Sequence, residues 1–215
     1  MVAQQLRGRD IKDQRVLEAM SRARRHEFVP ATLESMAYDD GPLPIGHGHT
    51  ISQPYIVALM TQLAAPTATD RVLDVGTASG YQAAVLAELA GDVSSIEIVE
   101  PLAREARERL ARLGYRNVTV RWGDGWKGLP ERAPFQVIVL AAALRDVPPA
   151  LLEQLAPGGR LVLPVGDNSE QKLLLITKRP DGSFVRRQVA PVLFVPMTGD
   201  TQTKSGTVRK AAPGR

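Results

Sequence analysis

The sequence predicts an α/β fold: a doubly wound, mostly parallel sheet with helices on both faces, an N-terminal helical addition and a C-terminal strand segment. Three features point to it. From residue 70 onward, short apolar runs alternate with longer amphipathic ones, the pattern of βα units whose right-handed crossovers leave the strands parallel. The first apolar run ends in a glycine-bracketed turn, "LDVGTASGYQ", that leads straight into a helix. A chain of 215 residues with 44% hydrophobic content is long enough for one such domain and small appendages, and too short for two large ones.

In chain order, "DIKDQRVLEAMSRA" sets Ile11, Val16, Leu17 and Met20 along one side of a helix. The stretch that follows breaks into turn residues, with Pro30, Pro42 and Pro44 and three glycines between Gly41 and Gly48. "PYIVALMTQLAA" is a second helix, and Pro54 suits its first turn. "RVLDVG" is a buried strand, "SGYQAAVLAELAG" a helix closed by Gly91, and "VSSIEIVE" a strand. "PLAREARERLARLG" is a helix from Pro101 to Gly114, followed by "NVTVRWGDG" as a strand with a glycine turn. "FQVIVLAAA" is a strand, "PPALLEQLAPGG" a helix and "RLVLPVG" another strand. "QKLLLITKRPDGSFVRRQVA" forms two strands about the turn "RPDGS". The chain so divides into residues 1–69, helices and a loop packed on the core; residues 70–199, the sheet core; and residues 200–215, a basic tail expected to be disordered.

Composition removes several functions. The net charge is +4, but Lys204, Arg209, Lys210 and Arg215 against Asp200 put +3 of it in the tail. The body carries about +1, which argues against a nucleic-acid groove. With no cysteine there is no disulfide and no thiolate chemistry. No apolar run reaches membrane-spanning length and the first residues lack an apolar signal core, so a soluble cytoplasmic protein with no membrane partner is expected. No segment encodes a dimer surface, and monomer is the default.

In doubly wound sheets, ligands bind beyond the carboxyl ends of the strands. There Gly76 and Gly80 bracket Thr77, Ala78 and Ser79, which falls short of the full G-x-G-x-x-G dinucleotide fingerprint. Glu97 follows Asp74 by 23 positions, near the spacing of about 20 at which an acid meets ribose hydroxyls. Asp74, two residues before the first glycine, would repel a pyrophosphate at this helix N-terminus. S-adenosylmethionine (SAM) brings a sulfonium and an ammonium instead, which an acid attracts. Asp124 in "GDGW" can accept from an adenine amino group, and Gly125 lets the ring lie close. Taken singly, Glu97 is equally well a solvated strand end and Asp124-Gly125 an ordinary turn pair.

The stretch "GHGHTISQPY" admits three readings. A metal site at His47 and His49 would need Asp39 or Asp40 as further ligands, and His-x-His does not define a coordination sphere. No metal is expected. A catalytic base is one alternative; a loop that grips substrate is the other. Ser52 also stands where a helix N-cap would.

With "PLPIGHGHTISQPYIVALMT", "VLDVGTASGYQAAVLAEL", "IEIVE", "LGYRNVTVRWGDGWKGLPERAPF" and "GGRLVLPVG" in order, the sequence resembles the protein-L-isoaspartate O-methyltransferase family over roughly residues 2 to 199. "RRHEFVP", "AYDD" and "FVPMTG" extend the likeness. The resemblance implies a Rossmann-like SAM-dependent methyltransferase that methylates the free α-carboxylate of L-isoaspartyl residues in damaged proteins and peptides. It implies that Asp74, Gly76, Thr77, Ala78, Ser79 and Gly80 border the methionine part of SAM, Glu97 the ribose, and Asp124 with Gly125 the adenine. It implies a substrate side made of Ile45, Gly46, His49, Thr50, Ile51 and Val195, with Ser52 as the active-site hydroxyl. On that resemblance "GHGHTISQPY" is a substrate-gripping loop.

Three positions depart from the family pattern: His49 for a usual Gln, Ala78 for a usual Gly, and Ala141 for a common Thr. Ala78 either crowds the cofactor or sits at an ordinary φ at no cost. His49 places a titratable ring beside an anionic substrate, so activity is expected to depend on pH between about 5 and 8. The rival functions are a methyltransferase of the same fold acting on an aspartate of a dedicated peptide, a protein that binds SAM or peptides without turnover, and, least of all, a dehydrogenase.

Overall fold

The computed structural model describes residues 1–167 and 169–199, so the tail expected to be disordered lies outside the described residues. After a helical turn at Val2–Arg7 that the sequence pattern did not suggest, α1 runs Gln14–Arg22. It starts later than expected because Asp13 caps it, accepting from the Arg15 amide at 2.9 Å. Ile11 precedes the helix and is fully buried all the same. Two 3-10 turns, Arg25–Phe28 and Ala31–Met36, lead to an antiparallel hairpin of β1 (Leu43–Gly46) and β2 (His49–Ile51). Gly46, His47 and Gly48 all take positive φ at its tip, which is why the glycines cluster there. Helix α2 (Pro54–Ala64) follows, with Pro54 in its first turn.

The strands β3 (Arg71–Val75), β4 (Asp92–Glu97), β5 (Val118–Trp122), β6 (Phe135–Leu140), β7 (Leu155–Gly166), β8 (Gln171–Lys178) and β9 (Phe184–Val192) form one sheet in the order β5-β4-β3-β6-β7-β8-β9. The first five are parallel; β8 is antiparallel to β7, and β9 to β8. Strand order reverses between β3 and β6, so a crevice opens beyond Val75 and Leu140.

Helices α3 (Tyr81–Ala87), α4 (Glu100–Arg112) and α5 (Pro149–Glu153) lie between strands. Two are shorter than the pattern suggests. Helix α3 stops at Ala87 rather than Gly91, and a Cβ at Gly91 would come within 2.4 Å of the Ala68 carbonyl, so that glycine serves a close approach. Helix α5 stops at Glu153 because "LAPGG" joins β7, where Leu155 pairs with Phe135.

Alternate strand residues face two cores, as a sheet covered on both sides requires. Val72, Val137, Val139 and Val162 pack with residues of α1, α2, α3 and α4. Leu73, Ile138, Leu140 and Leu161 pack with Leu151 of α5 and with Leu129. The first core also takes in Leu6, Val16, Met20 and Val57, so the N-terminal helices share one continuous apolar cluster with the sheet.

Candidate active site

Beyond Val75 the chain turns through residues 76–80 into α3, with Gly76, Ala78 and Gly80 at φ of +92°, +48° and +88°. The amides of Gly76 and Thr77 donate to the Ile96 carbonyl at 2.9 and 3.3 Å, pinning the turn to β4. The Ala78 amide donates to Glu97 Oε2 at 2.8 Å and the Val99 amide to Oε1 at 2.9 Å. Glu97 is thus oriented from both sides at the end of β4, and each of its oxygens keeps capacity for another donor. Gly80 packs tightly on α4: a Cβ there would lie 3.2 Å from Leu110 Cδ1.

Asp74 is not at the mouth of the turn, as its sequence position suggested, but beneath it and 0% exposed. Its Oδ2 accepts from the Ser95 hydroxyl at 2.6 Å, and that hydroxyl also pairs with Thr77 Oγ1. Oδ1 has no partner among the described residues. Burial pushes the carboxyl up to about 7; the Ser95 bond opposes this and the Glu97 charge adds to it. Asp124 caps the 3-10 turn Gly125–Lys127, accepting from the Trp126 amide at 3.0 Å through Oδ1, while its buried Oδ2 has no partner among the described residues. At Gly125 a Cβ would be 2.4 Å from Val75 Cγ1 and 3.3 Å from Met197 Cε, so the face expected to receive an adenine carries the Met197 side chain.

These residues surround a cavity of about 50 Å³, lined by His49, Thr50, Gly76, Ala78, Glu97 and Gly125 and closed by Val195, Pro196 and Met197. An adjoining groove of about 860 Å³ runs past Ser52, Gln53 and Tyr55 and along residues 191–196. Cavity and groove share Thr50, Ala141, Val195 and Pro196.

Several expected residues line neither the cavity nor the groove. Ile51 is a core residue, 2% exposed, and supports the hairpin from below. Ile45 faces a separate cavity of about 240 Å³ that it shares with Ser79, Phe28 and Arg109. Thr77 and Ser79 are buried supports: Thr77 holds Ser95, and the Ser79 carbonyl accepts from Arg109 at 2.9 Å. Gly46 forms the tip of the hairpin and Gly80 precedes α3. Ser52 is not the cap of α2; that position is Gln53, which makes no side-chain cap bond. His49 Nδ1 meets the His47 carbonyl at 2.8 Å, and no group of three metal-ligating side chains occurs among the described residues.

Sequence reasoning missed Ile96 and Ile98 in the cavity wall and Gln171 beside the groove. Gln171 clamps the covering segment, donating to the Phe194 carbonyl at 3.1 Å and accepting its amide at 2.6 Å. "FVPMTG" already contained Met197; nothing local marked Gln171, which looks like the start of a strand.

By fold and strand-end site the chain is a Rossmann-like methyltransferase. It superposes with a TM-score of 0.81 on a solved protein-L-isoaspartate O-methyltransferase, 29% identical, over 87% of this chain and 62% of that one. It belongs to the protein-L-isoaspartate(D-aspartate) O-methyltransferase family, whose model matches residues 1–202. A protein-L-isoaspartate O-methyltransferase of Opitutus terrae is 57% identical over 199 residues, 92% of this chain and 85% of that one. Protein-L-isoaspartate O-methyltransferase 2 of Polaromonas sp. is 54% identical over 193 residues, 89% and 92% of the two chains. A Plasmodium falciparum structure described as a putative member, in complex with S-adenosyl-L-homocysteine, shares the fold at a TM-score of 0.80 and 24% identity, covering 92% and 96%.

Proposed function

We propose that the isoaspartyl carboxylate meets the cofactor where the cavity opens into the groove, at Thr50, Ala141, Val195 and Pro196. As a family member the chain is a SAM-dependent carboxyl methyltransferase acting on L-isoaspartyl residues in damaged proteins. The donor set suits SAM. Asp124 Oδ2 is free to accept an adenine amino group, and Glu97 keeps lone pairs for ribose hydroxyls. Asp74 puts a buried acid under the cationic methionine part.

SAM supplies a methyl group on a sulfonium, and its transfer to a carboxylate oxygen leaves a neutral thioether. The protein has little acid–base work to do, since an α-carboxyl with a reference pKa of about 3.3–3.7 is already ionised at neutral pH. Its task is alignment and exclusion of water. In this reading Ser52 and Thr50 orient the carboxylate, His49 flanks it, and the segment from Val195 to Met197 covers the junction. The methyl ester closes to a succinimide without the enzyme, which starts the repair.

The protein acts as a cytoplasmic monomer in this proposal, on isoaspartyl proteins and peptides and without nucleic acid. No helix among the described residues is long and apolar enough to cross a membrane. The single observation that carries the proposal is the shared wall between a cofactor-type turn and a groove of about 860 Å³. Methyl transfer from labelled SAM to paired peptides, one with L-isoaspartate and one with L-aspartate at the same site, tests it. Base-labile label on the isoaspartyl peptide alone supports the proposal. Label on neither, with SAM binding intact, moves the activity to a dedicated peptide substrate or leaves binding without turnover.

A further inference from the structure

Arg25 takes no part in the chemistry above, yet it is fully buried in the 3-10 turn Arg25–Phe28. No carboxylate pairs with it among the described residues, an expensive arrangement for a charge. Its Nε donates to the Ala37 carbonyl at 2.8 Å and its Nη2 to the Gly41 carbonyl at 3.3 Å, while Nη1 has no partner among the described residues. The guanidinium carbon stands 5.0 Å over the ring of Tyr81. Tyr81 is itself buried and packs edge-on against Phe28, with ring centroids 5.4 Å apart.

What these contacts join is specific. Ala37 and Gly41 bracket the segment that feeds the hairpin β1–β2, which carries Thr50 and leads to Ser52. Tyr81 is the first residue of α3, immediately after the cofactor turn at 76–80. A planar fork can hold two carbonyls and stack on a ring at once, which a lysine ammonium cannot. We propose that Arg25 is a positioning residue that locks the substrate hairpin to the cofactor turn and so sets how the isoaspartyl carboxylate approaches the methyl group. This rests on the function proposed above. Burial pulls the guanidinium down to about 10, so it stays protonated at neutral pH.

Arg25→Lys and Tyr81→Leu test this, each by peptide KM, SAM affinity by calorimetry, and hydrogen exchange of residues 49–51. Both variants are expected to raise peptide KM about tenfold, Arg25→Lys through loss of a charged hydrogen bond to a carbonyl and Tyr81→Leu through loss of the buried cation–π contact. SAM affinity stays within about twofold, and hairpin amides lose protection while α3 keeps its own. The double variant is less than additive, because the two side chains act through one contact. Unchanged KM in folded variants would overturn the proposal. So would SAM affinity falling in step with KM, or failure of both variants to fold, either of which makes Arg25 a general core residue. Absence of turnover by the unaltered protein would defeat the functional reading instead, and the exchange measurement would still decide the clamp.

Discussion

Ala78 holds φ at +48°, so the notion that it sits at an ordinary backbone angle is not met. An L-residue in the left-handed region costs roughly 1 kcal/mol against glycine. Ala78→Gly is expected to raise stability by about that much by denaturant titration, and to widen the cavity it lines. Asp74 makes the opposite kind of demand. Its folded value of about 7 lies above the ordinary 3.8, so the stability it contributes is full below about pH 4 and is lost as pH rises through 7. Asp74→Asn keeps the shape and an acceptor for Ser95. It should flatten the fall in melting temperature expected of the native protein between about pH 4 and 7, and weaken SAM binding through loss of the buried charge. A fall that persists in the variant would place the titrating group elsewhere.

At the scale of elements, the site is two covering pieces laid over the turn at residues 76–80. The hairpin comes from one side; from the other comes the segment after β9, tied by Gln171 to Phe194 and by Ala143, whose amide meets the Val195 carbonyl and whose carbonyl accepts the Met197 amide, each at 2.8 Å. Together they close the cavity to about 50 Å³, well under the roughly 300 Å³ and more of ordinary ligand pockets. The cover is expected to shift when a nucleoside cofactor enters, and Met197, which packs close to Gly125, is the side chain expected to move. Methionine is flexible enough to swing aside. Met197→Ala should therefore speed SAM association several-fold in stopped-flow measurements, the order expected when a binding-competent state becomes more populated. An unchanged rate would mean that another part of the cover limits entry.

Across the whole molecule, the helices before the sheet are structural members of one fold. Leu6, Val16 and Met20 are buried in the cluster that also holds Val72 and Val137 of the sheet. Leu6→Ala, far in sequence from any site residue, is expected to cost about 2–5 kcal/mol and to lower a single unfolding transition rather than split it. Two transitions, with the sheet melting apart from residues 1–69, would refute this. The same shared core makes Arg25 effective, since a clamp transmits position only between parts that are themselves held.

The sequence by itself determined the strand and helix alternation, the parallel sheet, the cofactor turn and the acids at three strand ends, because these depend on periodicity and on glycine and proline within a few residues. It also marked Thr50, Ser52 and Val195, which border the groove or its junction with the cavity. Only the tertiary structure decided which of the marked residues line the cavity and the groove. Ile51 and Thr77 lie in the right stretches and yet are buried away from the cavity, Asp74 sits beneath the turn, and Gln171 reaches Phe194 across 23 residues of chain. Burial and side-chain direction depend on what packs from elsewhere in the chain, and local spacing does not encode that. The same holds for Met197, whose place over Gly125 is set by pairing with Ala143 rather than by its own neighbours.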